Sequence, residues 1–174
     1  MEKLNEPLEG VDDSVVEQLK KHGFEIVRDF NSNTSNIPQT STKIVLLLSP
    51  ANYIVGNLSN KIIFVPPVLH EVFLSDLKNC VVACSAQQIR MRRCQNLKLF
   101  NYIAGSVFAE QKCSSIKLYP FLFHAENDDR QQSQNLPRNF ANFQSLDNPF
   151  NPKACFTVVE ENETSFFQQI EDLK

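Results

Sequence analysis

Four short stretches of the chain repeat one another: Leu58-Ser-Asn60-Lys-Ile62, Leu77-Lys-Asn79-Cys-Val81, Cys94-Gln-Asn96-Leu-Lys98 and Cys113-Ser-Ser115-Ile-Lys117. Their starts are separated by 19, 17 and 19 residues. In each, an apolar residue or cysteine precedes one polar residue, then Asn or Ser at a bend, then another β-type run. This is what a chain needs when every turn stacks on the one before it. Asn and Ser corners tolerate the left-handed backbone that tight bends demand. The runs Val72-Phe73-Leu74, Ile89 to Met91 and Val107-Phe108 are short, β-branched or aromatic, and flanked by turn residues, which favours strands over helices. The expected fold is mainly β, a short parallel β-helix in which each repeat forms one coil.

The flanking segments read differently. Asp12 or Asp13 can cap a helix that passes through Val15, Val16 and Leu19, carries Lys20 and Lys21 in its last turn and ends at Gly23. Phe24 to Val27 reads as a strand packed on that helix, so residues 1–30 form a helix and strand. Residues 31–43 are rich in Asn, Ser and Thr, interrupted by Pro38, and read as a polar linker. The β-helix is expected over 44–122. Residues 123–174 then form a covering arm and a tail helix. Phe140, Phe143 and Phe150 of the arm are placed to cap the last coil or one flank, because an open β-helix end exposes an unpaired edge. The spacing of Phe166, Phe167, Ile170 and Leu173 suits a helix docked on the body.

With 174 residues, of which 42% are hydrophobic, the chain can bury one core and is short for two ordinary domains. The net charge of -3 gives no basic field to gather a nucleic-acid backbone, so nucleic acid is not an expected partner. No run approaches the roughly eighteen apolar residues of a membrane span. Met1 to Gly10 is too acidic and polar for a signal peptide, and Glu2 stands where myristoylation needs glycine. A soluble, intracellular protein without membrane insertion is the expectation. Of the five cysteines, Cys80, Cys84, Cys94 and Cys113 lie in apolar stretches without a CxxC pair or neighbouring histidines, and read as buried thiols. His70 and His124 are isolated, which makes them turn or surface residues. No metal and no cofactor is expected.

The segment most informative about chemistry is Gln87-Gln-Ile-Arg-Met-Arg-Arg-Cys94. As a strand it turns Ile89 and Met91 inward and Gln88, Arg90 and Arg92 outward. On the next coil the same phase puts Val107 and Ala109 inside and Phe108 and Glu110 outside. A carboxylate then lies one strand, about 4.8 Å, from the arginines. An ordinary solvated face with cross-strand pairing would look the same.

Asn60-Lys-Ile-Ile-Phe-Val-Pro-Pro-Val68, Val72-Phe73, Asn79-Cys80, Gln87 to Cys94 and Ser115-Ile-Lys117 together resemble the tubulin-binding cofactor C domain family, nearest its retinitis pigmentosa GTPase-activating members. The likeness covers residues 44 to 119, and Gln-Gln-x-Arg-x-Arg-x-Cys is its most specific string. It implies a right-handed parallel β-helix that binds an Arf-like small GTPase in its GTP state and speeds hydrolysis. Arg90 then corresponds to an arginine finger, and Gln88 to the glutamine that helps hold it. A carboxylate or amide that contacts the partner or positions the arginine is matched by Glu110 or Gln111. Gln87, Arg92, Arg93, Phe108, Phe140, Phe143 and Leu146 are the further partner-binding candidates. Tubulin or tubulin-folding cofactors are implied as additional partners, and the cytoplasm, cytoskeleton or cilium and basal body as the location.

This sequence departs from the family in three places. The turn Pro67-Val68-Leu69-His70-Glu71 lacks the usual glycine. The stretch Asn139-Phe140-Ala-Asn-Phe143-Gln-Ser-Leu146 lacks a tryptophan and puts Leu146 where relatives have phenylalanine. Arg93 replaces a commonly acidic residue. The changed arm keeps a second reading open, a non-catalytic interaction module in a cytoskeletal or other large assembly. A third reading, by analogy with the actin-handling cyclase-associated proteins of the same fold, fits less well because their domain lacks the Gln-Gln-x-Arg string. With only four glycines and no GxxxxGK[ST] loop, any GTP chemistry belongs to the partner.

Overall fold

Asn60, Asn79, Asn96 and Ser115 all adopt the left-handed backbone, with φ of 58°, 54°, 52° and 55°. Three residues ahead of each stands a second left-handed corner: Asn57, Asp76, Arg93 and Lys112, with φ of 59°, 55°, 51° and 50°. The residue after each of these, Leu58, Leu77, Cys94 or Cys113, is buried. Two bends thus swing the chain from one sheet to the next while a single side chain plugs the corner from inside. The asparagines also stack, Asn79 Nδ2 donating to Asn60 Oδ1 at 3.2 Å and Asn96 Nδ2 to Asn79 Oδ1 at 2.9 Å.

The computed structural model describes residues 2–3, 8, 11, 13–31, 37, 39–48, 54–103, 107–110, 112–120, 140–142, 156–158 and 166–171. They form a parallel β-solenoid of about four turns. One sheet stacks β4 (Ile54–Ser59), the first half of β6 (Glu71–Ala86), β7 (Gln88–Arg92), β9 (Val107–Ala109) and β11 (Phe140–Asn142), all parallel. The other stacks β2 (Glu25–Phe30), β3 (Lys43–Leu48), β5 (Ile62–Val65), the second half of β6, β8 (Gln95–Ile103), β10 (Ser114–Pro120) and β12 (Phe156–Val158). Strand β6 serves both sheets because Asp76 and Asn79 bend it in its middle. A short β1 (Glu2–Lys3) runs antiparallel along β2.

The core is a set of in-register columns. Val55, Leu74, Met91 and Ala109 stack inside the first sheet, and Ile44, Ile63, Val82, Leu99 and Leu118 inside the second, all with no measurable exposure. Each large apolar side chain so buried contributes about 1.5–3 kcal/mol. Cys80, Cys84, Cys94 and Cys113 lie in the same core as thiols, none of them joined in a disulfide. Burial pushes the Cys84 thiol up to about 12, and also raises Cys80. Cys94, hydrogen-bonded to the Cys113 sulfur and buried, is raised too.

Helix α1 (Asp13–Lys21) turns Val15, Val16 and Leu19 onto the outer surface of the second sheet. It closes with paired C-terminal hydrogen bonds, Phe24 N–H to the Leu19 carbonyl at 3.1 Å and Gly23 N–H to the Lys20 carbonyl at 3.0 Å. Gly23 supplies the φ of 77° that this closure requires. The strand expected after the helix is β2. It pairs in parallel with β3, so the ladder begins one rung before Ile44. On the segment that joins these two strands, the Ser41 and Gln39 carbonyls accept hydrogen bonds from Lys61 Nζ, only 7% exposed, at 2.6 and 3.2 Å. The tail helix is α2 (Phe166–Glu171), with Phe166 and Ile170 buried beside α1; Leu173 lies outside the described residues.

Candidate functional site

The alternation read from the sequence holds on β7. Ile89 and Met91 are buried, while Gln88, Arg90 and Arg92 are partly exposed on the opposite face. The ladder gives each an outward neighbour on the preceding coil: Gln88 stands beside Glu71, Arg90 beside Phe73 and Arg92 beside Ser75. On the following coil Arg90 is in register with Phe108, and on the far side Phe73 is in register with Ile54. Arg90 thus follows Ile54 and Phe73 in the outward column of this sheet, a guanidinium after two apolar side chains.

Among the described residues its guanidinium has three neighbours. Nη2 donates to Glu110 Oε1 in a tight ion pair, Nη1 lies 3.8 Å from Glu71 Oε1, and Cζ sits 5.8 Å from the centre of the Phe73 ring. Glu110 is itself placed by its backbone N–H, which bonds the Met91 carbonyl at 2.8 Å. The Arg90 side chain keeps 43% of its surface exposed, against 21% for Glu110 and 36% for Glu71. Among the described residues, Gln88 makes no hydrogen bond to Arg90; what orients the guanidinium is two carboxylates and one ring. Arg92 Nε, two residues on, is buried without a hydrogen-bond partner among the described residues.

The turn that leads into β6 borders this face. The His70 carbonyl accepts the Gln87 and Gln88 N–H groups at 2.9 and 3.1 Å, and Val68 N–H bonds the Ser85 carbonyl at 2.9 Å. Held at both ends, the turn presents Leu69 with 85% of its surface exposed, the exposed large hydrophobic residue among those described. His70 and Gln87 are exposed there too.

Arg93 is engaged within the molecule. Its Nε and Nη2 donate to Asp76 Oδ1 and Oδ2 at 2.6 and 2.8 Å, a forked pair joining the corners of adjacent coils. With a further hydrogen bond from Ser75, this holds the Asp76 carboxyl down at about 2. Phe108 and Phe140 are placed by backbone register, Phe140 opposite Val107. Phe143, Leu146, Gln111 and His124 lie outside the described residues.

The structure therefore brings Gln88, Arg90, Arg92 and Glu110 onto one surface, as the strand phase predicts. It adds Glu71, Phe73 and Leu69, which sequence reasoning missed. The signal for the first two was present: the 17-residue offset that relates Leu77 to Cys94 also places Glu71 against Gln88 and Phe73 against Arg90. A separate groove at the asparagine corner, lined by Lys43, Lys61 and Lys98, is not this surface. Its Lys43 and Lys61 are bonded to the backbone carbonyls of His22, Gln39 and Ser41. Among the described residues no cluster of His, Cys, Asp or Glu could hold a metal ion, and no helix is long and apolar enough to cross a membrane.

The described residues thus form a stacked parallel solenoid with Arg90 outward on its first sheet, held by a carboxylate. Comparison with known families is specific: the model described as tubulin binding cofactor C matches residues 33–149, more than half of the chain, and the chain belongs to that family. Tubulin-specific chaperone C of Homo sapiens is 30% identical over 82 residues, covering 47% of this chain and 23% of that protein. Its Mus musculus counterpart is 29% identical over 82 residues, covering 47% of this chain and 24% of its own length. The chain spans less than a quarter of the length of these curated relatives. No solved structure gives a significant match.

Proposed function

We propose that this chain is a GTPase-activating module that binds an Arf-like small GTPase in its GTP state and supplies Arg90 in trans as an arginine finger. The observation that carries the proposal is the presentation of Arg90: outward, 43% exposed and tethered by Glu110 on a face to which neither helix contributes. When water attacks the γ-phosphorus and its bond to the β–γ bridging oxygen breaks, negative charge grows on that oxygen and on the phosphoryl oxygens. A guanidinium in a water-excluded interface stabilises this charge. Arginine suits the task because its planar fork stays charged and can contact two oxygens at once. The stacked sheet beneath limits the freedom that the inserted side chain must lose.

In this reading Glu110 positions Arg90 in the free chain, Gln88 on the same face helps to hold it once the partner is bound, and Gln87, Arg92, Phe108, Phe140, Phe143 and Leu146 contribute to the partner surface. Arg93 contributes through the corner it staples. Tubulin folding is the proposed setting, supported by the names of the relatives, with trafficking in the cilium as the other. The cytoplasm and cytoskeleton are the matching locations.

Single-turnover GTP hydrolysis by a panel of purified Arf-like GTPases tests this. The wild-type chain is expected to raise the rate about a thousandfold or more, and Arg90→Ala to abolish the rise. A second reading has its own observation: two carboxylates already pair with Arg90, which also suits a structural ion pair on a non-catalytic interaction module. Binding without acceleration would decide for that module.

A further inference from the structure

We infer that Glu71 is the displaceable partner of Arg90, a carboxylate that holds Nη1 against the sheet in the free protein and yields it to an anionic phosphoryl group of the partner. The inference rests on the proposed function for the identity of that anion, and on geometry for the rest. The two carboxylates are not equivalent. Glu110 is the more enclosed and forms a direct hydrogen bond to Nη2, whereas Glu71 is more exposed and stands 3.8 Å from Nη1. At that separation and exposure the Glu71 pair is weak, so its release costs little. The Glu110 bond is charge-assisted and stays in place.

The placement of Glu71 gives release a direction. It shares the outward column of Gln88, next to the turn at His70 whose carbonyl bonds Gln87 and Gln88 of the following coil, so it lies at the border of the exposed face. Glu110 lies on the opposite side, after β9, next to the column of Ser75 and Arg92. The two acids grip the fork from two sides while Phe73 supports its plane from the preceding coil. An incoming phosphate that takes Nη1 leaves the guanidinium seated on Phe73 and Glu110 without a rotamer change. Until then Glu71 also repels the phosphate. Its removal is therefore expected to favour engagement and leave the stabilisation by Arg90 intact.

Two measurements on Glu71→Gln test this. The first needs no GTPase: labelling of the folded chain with phenylglyoxal, an arginine-directed dicarbonyl, followed at Arg90 by peptide mass spectrometry, with Arg93 as the internal reference. Glu71→Gln is expected to speed labelling of Arg90 about two- to fivefold, the range set by a weak exposed pair, and to leave Arg93 unchanged. Equal or slower labelling of Arg90 overturns the inference. The second follows GTP hydrolysis: Glu71→Gln is expected to lower the KM for the GTP-bound partner by a similar factor with little change in kcat, whereas Glu110→Gln lowers kcat. A fall in kcat for Glu71→Gln would make it a positioning residue of the Glu110 kind and overturn displacement. If the wild-type chain accelerates no GTPase, the proposed function fails, while the labelling result still decides whether Glu71 restrains Arg90.

Discussion

The two sheets of the solenoid each carry an outward apolar column, and they meet different fates. On the second sheet the column runs Ile26, Val45, Phe64, Ala83, Phe100 and Tyr119, and α1 and α2 seal it. Phe166 of α2 is central to the seal, its ring 5.5 Å from Phe100, 6.1 Å from Phe24 and 6.3 Å from Phe64. On the first sheet the column runs Ile54, Phe73 and Arg90, with Phe108 next in backbone register, and among the described residues neither helix contributes to it. One residue type separates the cases. A guanidinium with two carboxylates cannot be roofed by an apolar helix without a desolvation cost of several kcal/mol per ion. The covered column stabilises the molecule; the charged one is where the proposed partner would dock.

The contrast predicts opposite effects for substitutions in equivalent outward positions. The largest is Arg90→Ala, expected to remove about a thousandfold or more of GTPase acceleration. It should shift the urea-unfolding free energy by less than about 1 kcal/mol, because the side chain is substantially exposed. A large loss of stability in that variant would break the comparison and make the pair structural. Phe166→Ala should behave in the reverse manner, destabilising by about 3–5 kcal/mol in urea unfolding while acceleration per folded molecule is unchanged.

The corners belong to neither face and sharpen the scale. Asn79→Ala removes the middle amide of the ladder and puts a Cβ-bearing residue without a polar side chain at φ 54°, which should cost about 1–2 kcal/mol in the same measurement. The smallest effect is a pH dependence. The Arg93 fork and the Ser75 hydrogen bond hold the Asp76 carboxyl down at about 2 in the folded chain, from an ordinary value of 3.8. A depressed carboxylate stabilises the fold above its unfolded value and loses that contribution as pH falls through the folded one. The stability difference between wild type and Asp76→Asn, read as melting temperature against pH, should therefore be constant above pH about 5 and shrink towards pH about 2. A difference that grows on acidification would contradict the Asp76–Arg93 staple.

Part of this architecture was legible because its causes are local. Asn60, Asn79 and Asn96 mark corners since asparagine tolerates left-handed backbone, and Leu58, Leu77, Cys94 and Cys113 mark the plugs beside them. The second corner column was hidden: Asn57, Asp76, Arg93 and Lys112 share no side-chain chemistry, and Arg and Lys are not residues that advertise a positive φ. Here stacking on the neighbouring coil imposes the conformation, and in one case a forked ion pair helps to hold it. The same division runs through the candidate site. Alternation along β7 put Arg90 outward and Glu110 near it. Glu71 and Phe73 went unnoticed because their relation to Arg90 spans a whole coil of 17 residues and appears only when the repeat offset is applied to the strand as well as to the corner.

By itself the sequence determined the coil period, the inward and outward phase of β7 and the helix that ends at Gly23, because these follow from a few neighbouring dihedral angles and the alternation of apolar residues. Only the tertiary structure decided that β2 joins the ladder, that both helices cover the second sheet, and that Arg90 is shared by Glu71 and Glu110. Those outcomes depend on which surfaces meet after the chain has stacked, a competition between apolar burial and charge solvation that no short stretch of residues encodes.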